Sequence, residues 1–319
     1  MYVAVIKGND MFFQRTLKER VDLEGVGIHS GQNSRIALVP APVNTGIVFL
    51  PIQNICNSKG IQAHIDNLLF THNAITIGNG DCAIQTVEHF MATFYALDIS
   101  NLYVLWEGSE LPILDGSAQK IVEAIESVGV HMQNAFCELF SIPYPVWVER
   151  DGRYLIALPS DDFKITYTID FTSKSHAIGT QTAHFTIDGE TFAKSIAPAR
   201  TFGFSEDLEL MKINNLALGG TLENALLFTR HRLVNDHLRF HNECVRHKIL
   251  DLIGDLALVG NKLRGHFIAY KAGHSMDTEL VRKINRIIKR TKISRNLSRH
   301  VIHRKEMEFK HFKRKMNLL

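Results

Sequence analysis

Residues 245–260 read VRHKILDLIGDLALVG. Val245, Ile249, Leu252, Ile253 and Leu256 recur at helical spacing, so one face of the segment is apolar and must be covered by the rest of the chain. Gly260 supplies a stop. The same helix carries His247, Asp251 and Asp255 at i, i+4 and i+8, which is one stripe. A His and an Asp one turn apart offer two metal ligands from one rigid element. Taken alone, such a pair is more often a solvated polar face. A catalytic metal site needs a third protein ligand and leaves one position open for water.

The surrounding pattern is α+β and it runs twice. TVEHFMATFYAL (86–97) is a helix with Val87, Phe90, Met91, Phe94 and Tyr95 on one face and Thr86 as its cap. LYVLWE (102–107) is a strand, and QKIVEAIESVG (119–129) is an amphipathic helix stopped by Gly129. The second run opens with a hairpin turning on Asp151-Gly152 in VWVERDGRYLIAL (146–158). KITYTIDF (164–171) alternates as a half-buried strand, HFTIDGETF (184–192) follows, and HFIAYKAGH (266–274) is a strand entering a loop. Two blocks of strands followed by helices predict two similar α+β domains, 11–132 and 138–281, with a basic extension at 282–319. Pro143 and Pro145 fall in the junction.

Composition narrows the function. Of 319 residues, 45% are hydrophobic and 22% charged, as in soluble globular proteins. No apolar run approaches the roughly 20 residues of a spanning helix, and the N-terminal stretch lacks the charged region of a signal peptide. Cys56, Cys82, Cys137 and Cys244 are far apart, which argues against a disulfide scaffold or a thiolate metal site and fits the cytoplasm. The net charge of +3 hides a division. Residues 282–315 hold 14 Lys/Arg against 2 Asp/Glu, and the remainder holds 22 against 31.

The missing ligand has a candidate in QTVEH. Glu88 beside His89 suits a metal hydrolase, in which the His binds and the Glu takes a proton from water. The inverted zinc-peptidase pattern needs a His where Gln85 stands, so the peptidase reading fails. His89 therefore needs partners from elsewhere, which is what His247 and Asp251 also need.

TVEHFMA, ELPILDGSA (110–118), ARTFGF (199–204), LGG (218–220), VRHKILDLIGDL and AYKAGH (269–274) occur in this order. GVGIHSG (25–31) and PAPVNTG (40–46) precede them. Together they resemble the UDP-3-O-acyl-N-acetylglucosamine deacetylases, the zinc amidases of lipid A biosynthesis, from about Arg15 to His274. The resemblance implies two similar α+β domains with the metal in the cleft between them. It implies zinc on His89, His247 and Asp251, a His/Asp set that also tolerates ferrous iron. Glu88 matches the general base, and His274 matches the group that stabilises the oxyanion and protonates the leaving amine. Asp255 matches the carboxylate that orients His274, and Thr201 matches an oxyanion donor. Lys248, Phe202, Phe204 and Gly219 match substrate-side positions. Residues 203–228 match an insert that makes an apolar passage for the acyl chain. The implied partner is the UDP-sugar substrate, handled by a monomer.

The sequence departs from the family at three places. DGRYLIAL (151–158) keeps a basic residue only as Arg153, shifted by one position, where the family serves the nucleotide. The residues before Met11 have no family counterpart, so Met1 and Met11 both stand as candidate starts. Beyond about 280 no family motif occurs. There the basic segment reads either as a helix docked by Val281, Ile284, Ile287 and Ile288, or as a contact for anionic membrane or a regulatory partner. A nucleic-acid-binding protein is the rival from another class, and it lacks a recognition motif in an acidic body. A diverged, inactive paralogue is the other alternative. It would show a lost ligand or base, and none is lost.

Overall fold

The computed structural model describes residues 12–54, 60–80 and 82–293. The candidate starts Met1 and Met11, Cys56, and the tail beyond 293 lie outside the described residues.

The chain opens with β1 (Phe13–Leu17), β2 (Val21–Val26), β3 (Asn33–Pro40), β4 (Ile47–Pro51) and β5 (Ile61–Gln62). A small antiparallel meander follows, β6 (Leu68–Phe70), β7 (Thr76–Gly78) and β8 (Ala83–Gln85). It feeds α1 (Glu88–Ala96), then β9 (Leu102–Glu107) and α2 (Gln119–Val128). β10 (Val130–Phe136) returns to pair with β1. The second half holds β11 (Leu139–Ser141), β12 (Val146–Arg150), β13 (Arg153–Leu158), β14 (Phe163–Asp170) and β15 (Thr180–Thr186). After these come α3 (Gly189–Thr191), β16 (Phe202–Phe204), α4 (Leu208–Ile213), β17 (Leu226–Phe228), α5 (Glu243–Ala257) and β18 (Lys262–Tyr270). A sixth helix, α6, covers 274–293 among the described residues.

The two halves share one topology. The first sheet runs β2-β3-β9-β4-β5 and the second β12-β13-β18-β14-β15, with β11 added as a sixth strand parallel to β18. In each, the central strand pairs antiparallel with one neighbour and parallel with the other, and the outer pairs are antiparallel. The helix before each central strand is α1 in the first half and α5 in the second, so these two occupy equivalent places. They pack against each other. Gly254 makes the closest approach: a Cβ there would lie 2.1 Å from the Glu88 carbonyl oxygen. Glycine is needed at that crossing because the backbone of α1 fills the space a side chain would take.

Periodicity explains the burial. Ile165, Tyr167 and Ile169 alternate into the core from β14. Val245, Ile249, Leu252, Ile253 and Leu256 are all fully buried on α5. Each such side chain contributes on the order of 2 kcal/mol by leaving water. The Asp151-Gly152 hairpin forms as expected, with φ of 51° and 70° at the two turn residues. Gly129 ends α2 at φ 73°.

Three local expectations change. Thr86 does not cap α1: the N-cap is Val87, without a side-chain cap bond. Thr86 sits instead at φ 63°, a strained conformation for a β-branched residue, and its hydroxyl donates to Glu110 at 2.7 Å. α5 ends at Ala257, and Gly260 turns the chain just beyond it at φ 77°. His274 begins α6 rather than lying on a loop. β10 pairs with β1 as far as Phe136, and α6 spans 274–293 among the described residues. Val281, Ile284 and Ile288 are buried along α6, and Lys289 pairs with Asp66 at 2.7 Å. No described helix is long and apolar enough to cross a membrane.

Candidate metal centre and active site

The close crossing of α1 and α5 determines what faces what. His89, in the first turn of α1, and His247, in the first half of α5, stand edge to face with ring centroids 5.0 Å apart. Asp251 lies one turn beyond His247. Its Oδ1 is 3.5 Å from His247 Nε2 and 3.8 Å from His89 Nε2. All three side chains are buried.

Two of the three ligand side chains, His247 and Asp251, are aimed by a neighbour. The buried Arg200 donates from its backbone N and its Nε to Glu243 Oε1, at 3.0 and 2.9 Å, and so fixes the ARTFGF segment over the start of α5. The adjacent Ala199 carbonyl then lies 3.0 Å from His247 Nδ1. A carbonyl only accepts, so Nδ1 carries the hydrogen and Nε2 keeps its lone pair. Lys248 Nζ donates to Asp251 Oδ2 at 2.7 Å, which leaves Oδ1 toward the two imidazoles.

The donor set fits a divalent cation. A tetrahedral centre with bonds of about 2.1 Å separates its ligand atoms by about 3.4 Å, close to the spacing observed. Burial pushes His89 down to about 3, and burial likewise lowers His247, so both rings stay neutral and able to ligate. Burial works to raise the Asp251 carboxyl, but the Lys248 ammonium beside it prevails and holds it well below the usual carboxylate range.

Glu88 shares the same crevice. One carboxylate oxygen, Oε2, accepts from the Ile75 amide at 3.0 Å. Burial pushes Glu88 up to about 7, against the pull of His274. A carboxyl near neutrality can take and return a proton. His274 Nδ1 is 2.8 Å from Asp255 Oδ2, so the third member of the α5 stripe faces the histidine and not the triad.

A cavity of about 310 Å³ joins these groups. Glu88, His89, Thr201, Phe202, His247, Asp251 and His274 line it. Leu208, Met211, Leu222 and Leu226, from the 203–228 segment, supply apolar wall. Other matched residues stand elsewhere. Phe204 packs on Phe171 with ring centroids 5.2 Å apart and lies outside the lining. Gly219 backs onto Gly27, whose carbonyl oxygen would lie 2.2 Å from an added Cβ. Lys248 is committed to Asp251, and Asp255 stands behind His274. Arg153 lies on the exposed hairpin beside Asp151. Leu210, Ile213 and Leu218 of the insert point to solvent.

Some contributors carried only weak signals. Glu110, 1% exposed, accepts from the backbone of His29 and Ser30 and from Thr86, tying GVGIHSG to the segment entering α1. ELPILDGSA contains it, yet a Glu in a loop motif carries no mark of burial. Gly254 looks in sequence like an unfavourable glycine inside a helix.

A mixed α+β scaffold presenting buried imidazoles and a carboxylate to a cavity with a poised carboxyl defines a metal-dependent hydrolase. The family model of UDP-3-O-acyl N-acetylglycosamine deacetylase (LpxC) matches residues 14–286, so the chain belongs to that family of metalloenzymes. It is 42% identical over 272 residues to the UDP-3-O-acyl-N-acetylglucosamine deacetylase of Leptospira biflexa, covering 85% of this chain and 89% of that protein. It is 40% identical over 294 residues to the enzyme of the same name from Oleidesulfovibrio alaskensis, covering 90% and 94%.

Proposed function

We propose that this protein hydrolyses the 2-acetamido group of UDP-3-O-(3-hydroxyacyl)-N-acetylglucosamine to acetate and a free amine, the committed step of lipid A biosynthesis. The observation that carries the reading is the convergence of Glu88, His89, His247, Asp251 and His274 on one cavity in a member of this family.

His89 Nε2, His247 Nε2 and Asp251 Oδ1 would hold the cation, and their nitrogen and oxygen donors suit zinc or ferrous iron. When bound, the cation supplies Lewis acidity toward the amide carbonyl and acidifies water. Glu88 accepts the proton as water adds to the carbonyl carbon. The Thr201 hydroxyl donates to the oxygen as it becomes anionic. His274 then delivers a proton to the amine nitrogen as the carbon–nitrogen bond breaks. Asp255 holds Nδ1–H, so the transferable proton sits on Nε2. Phe202 and the leucine and methionine wall exclude water and take the acyl chain. The substrate's nucleotide end needs a locally basic surface in an otherwise acidic body. The cytoplasm is the compartment this reading implies.

The test pairs metal analysis of the purified protein with acetate release from the UDP-sugar. Glu88→Ala and His274→Ala should keep the metal and lose most turnover. Full activity in Glu88→Ala would refute its assignment as base.

A further inference from the structure

Behind His274 lies a carboxylate that the reaction does not use. Asp277 is one turn along α6 and fully buried. Neither of its oxygens has a hydrogen-bond donor, and neither does Asp255 Oδ1. Ligand-type atoms of Asp255, His274 and Asp277 lie within 4.8 Å of one another. The other charged or titratable groups acting on Asp277 are Lys248 and Asp251 on α5, and the buried Tyr167 of β14 faces the same cluster. Lys248 is already committed to Asp251 Oδ2.

Two carboxylates this close cannot both be charged away from water. Their unpartnered oxygens are acceptors only while ionised. One proton between them converts two unsatisfied groups into a hydrogen bond. Asp255 also faces His274, and an imidazolium favours an ionised partner, so the proton belongs on Asp277. Burial raises both carboxyls, Asp277 up to about 8, and the hydrogen bond with Asp277 works to lower Asp255.

We propose that Asp277 is a positioning residue for the His274–Asp255 pair: it stays a neutral acid and donates its carboxyl hydrogen to Asp255 Oδ1, leaving Oδ2 charged toward His274. The role rests on the assignment of His274 as the proton donor. Asp277 never touches substrate. It keeps Asp255 ionised, and Asp255 holds the imidazole by its Nδ1–H.

The substitutions that separate this from a structural role are Asp277→Asn and Asp277→Leu in the metal-loaded full chain. An Asn amide donates to Asp255 as the acid does, so kcat should stay within about threefold of wild type with an unchanged pH profile. Leu removes the donor, so kcat should fall about 10-fold or more with KM unchanged. Its basic limb should move to lower pH, because a protonated Asp255 no longer supports the imidazolium. Carbon-13 NMR of labelled aspartate reads the Asp277 protonation state directly, independently of turnover. If Asp277 is ionised at pH 6 to 7, or if Asn costs as much as Leu, the proposal is overturned. A Leu variant with wild-type kcat and pH profile overturns it as well. A wild-type enzyme that releases no acetate would instead sink the deacetylase reading, leaving the NMR result standing.

Discussion

Gly254→Ala tests the central claim that one helix crossing builds the site. An added Cβ would meet the Glu88 carbonyl oxygen at 2.1 Å, its carbonyl carbon at 2.8 Å and its Cα at 3.0 Å. Restoring an ordinary contact of about 3.3 Å to that oxygen requires α1 and α5 to part by about 1.2 Å. Two opposed effects act on stability. Overpacking costs about 1–3 kcal/mol, and alanine regains about 1 kcal/mol of helix propensity. The net loss of at most about 2 kcal/mol leaves the protein folded. Geometry is far less forgiving, because the residue pushed is Glu88 itself and its neighbour is His89. A displacement of about 1 Å in a catalytic constellation costs about 100-fold in rate. Circular dichroism melts, metal content and acetate release on the same preparations separate the effects. The expected result is a Tm a few degrees lower, weaker metal retention and kcat down about 100-fold. A variant with more than half the wild-type kcat and full metal content would show that the crossing does not set the site.

His247→Ala should lose the bound metal on purification, and its Tm should no longer respond to a chelator that lowers the wild-type Tm. Glu110→Ala leaves the amides of His29 and Ser30 and the Thr86 hydroxyl without their acceptor, which should cost about 3 kcal/mol. A melt unchanged within a degree would contradict that role. Asp277 supplies the pH dependence. Its folded value is raised to about 8 from 3.8, so the folded state binds more protons across that window and its stability falls as pH rises through it. Asp277→Asn removes this contribution, so the melting advantage of the variant over wild type should grow from pH 5 to pH 8. A constant difference between the two would count against a buried neutral acid.

Local patterning was sufficient for much of the fold. The periods of 3.6 and 2 gave α1, α2, α5, β9 and β14 because burial on one face imposes them. The Asp151-Gly152 turn was legible because few residue pairs accept two positive φ angles. The α5 stripe set the i, i+4, i+8 positions of His247, Asp251 and Asp255, and the motif order supplied His89 and Glu88 as complements.

Tertiary structure decided the rest, because it depends on distances between segments far apart in sequence. Pattern alone could not say that Thr86 would give up capping for a bond to Glu110, since that acceptor comes 24 residues later. Lys248 matches a substrate-side position, and only packing shows that its ammonium stands 2.7 Å from Asp251 Oδ2. Phe204 and Gly219 sit in matching motifs, and only the tertiary structure shows that Phe204 packs on Phe171 and that Gly219 backs onto Gly27. Asp277 carried no sign in the sequence beyond following His274 by one helical turn. Its significance arises only where α5 and α6 bury two carboxyl groups together and leave them no donor but a shared proton. Sequence fixed which groups could do chemistry. The crossing of two equivalent helices, permitted by one glycine, decided which of them would meet.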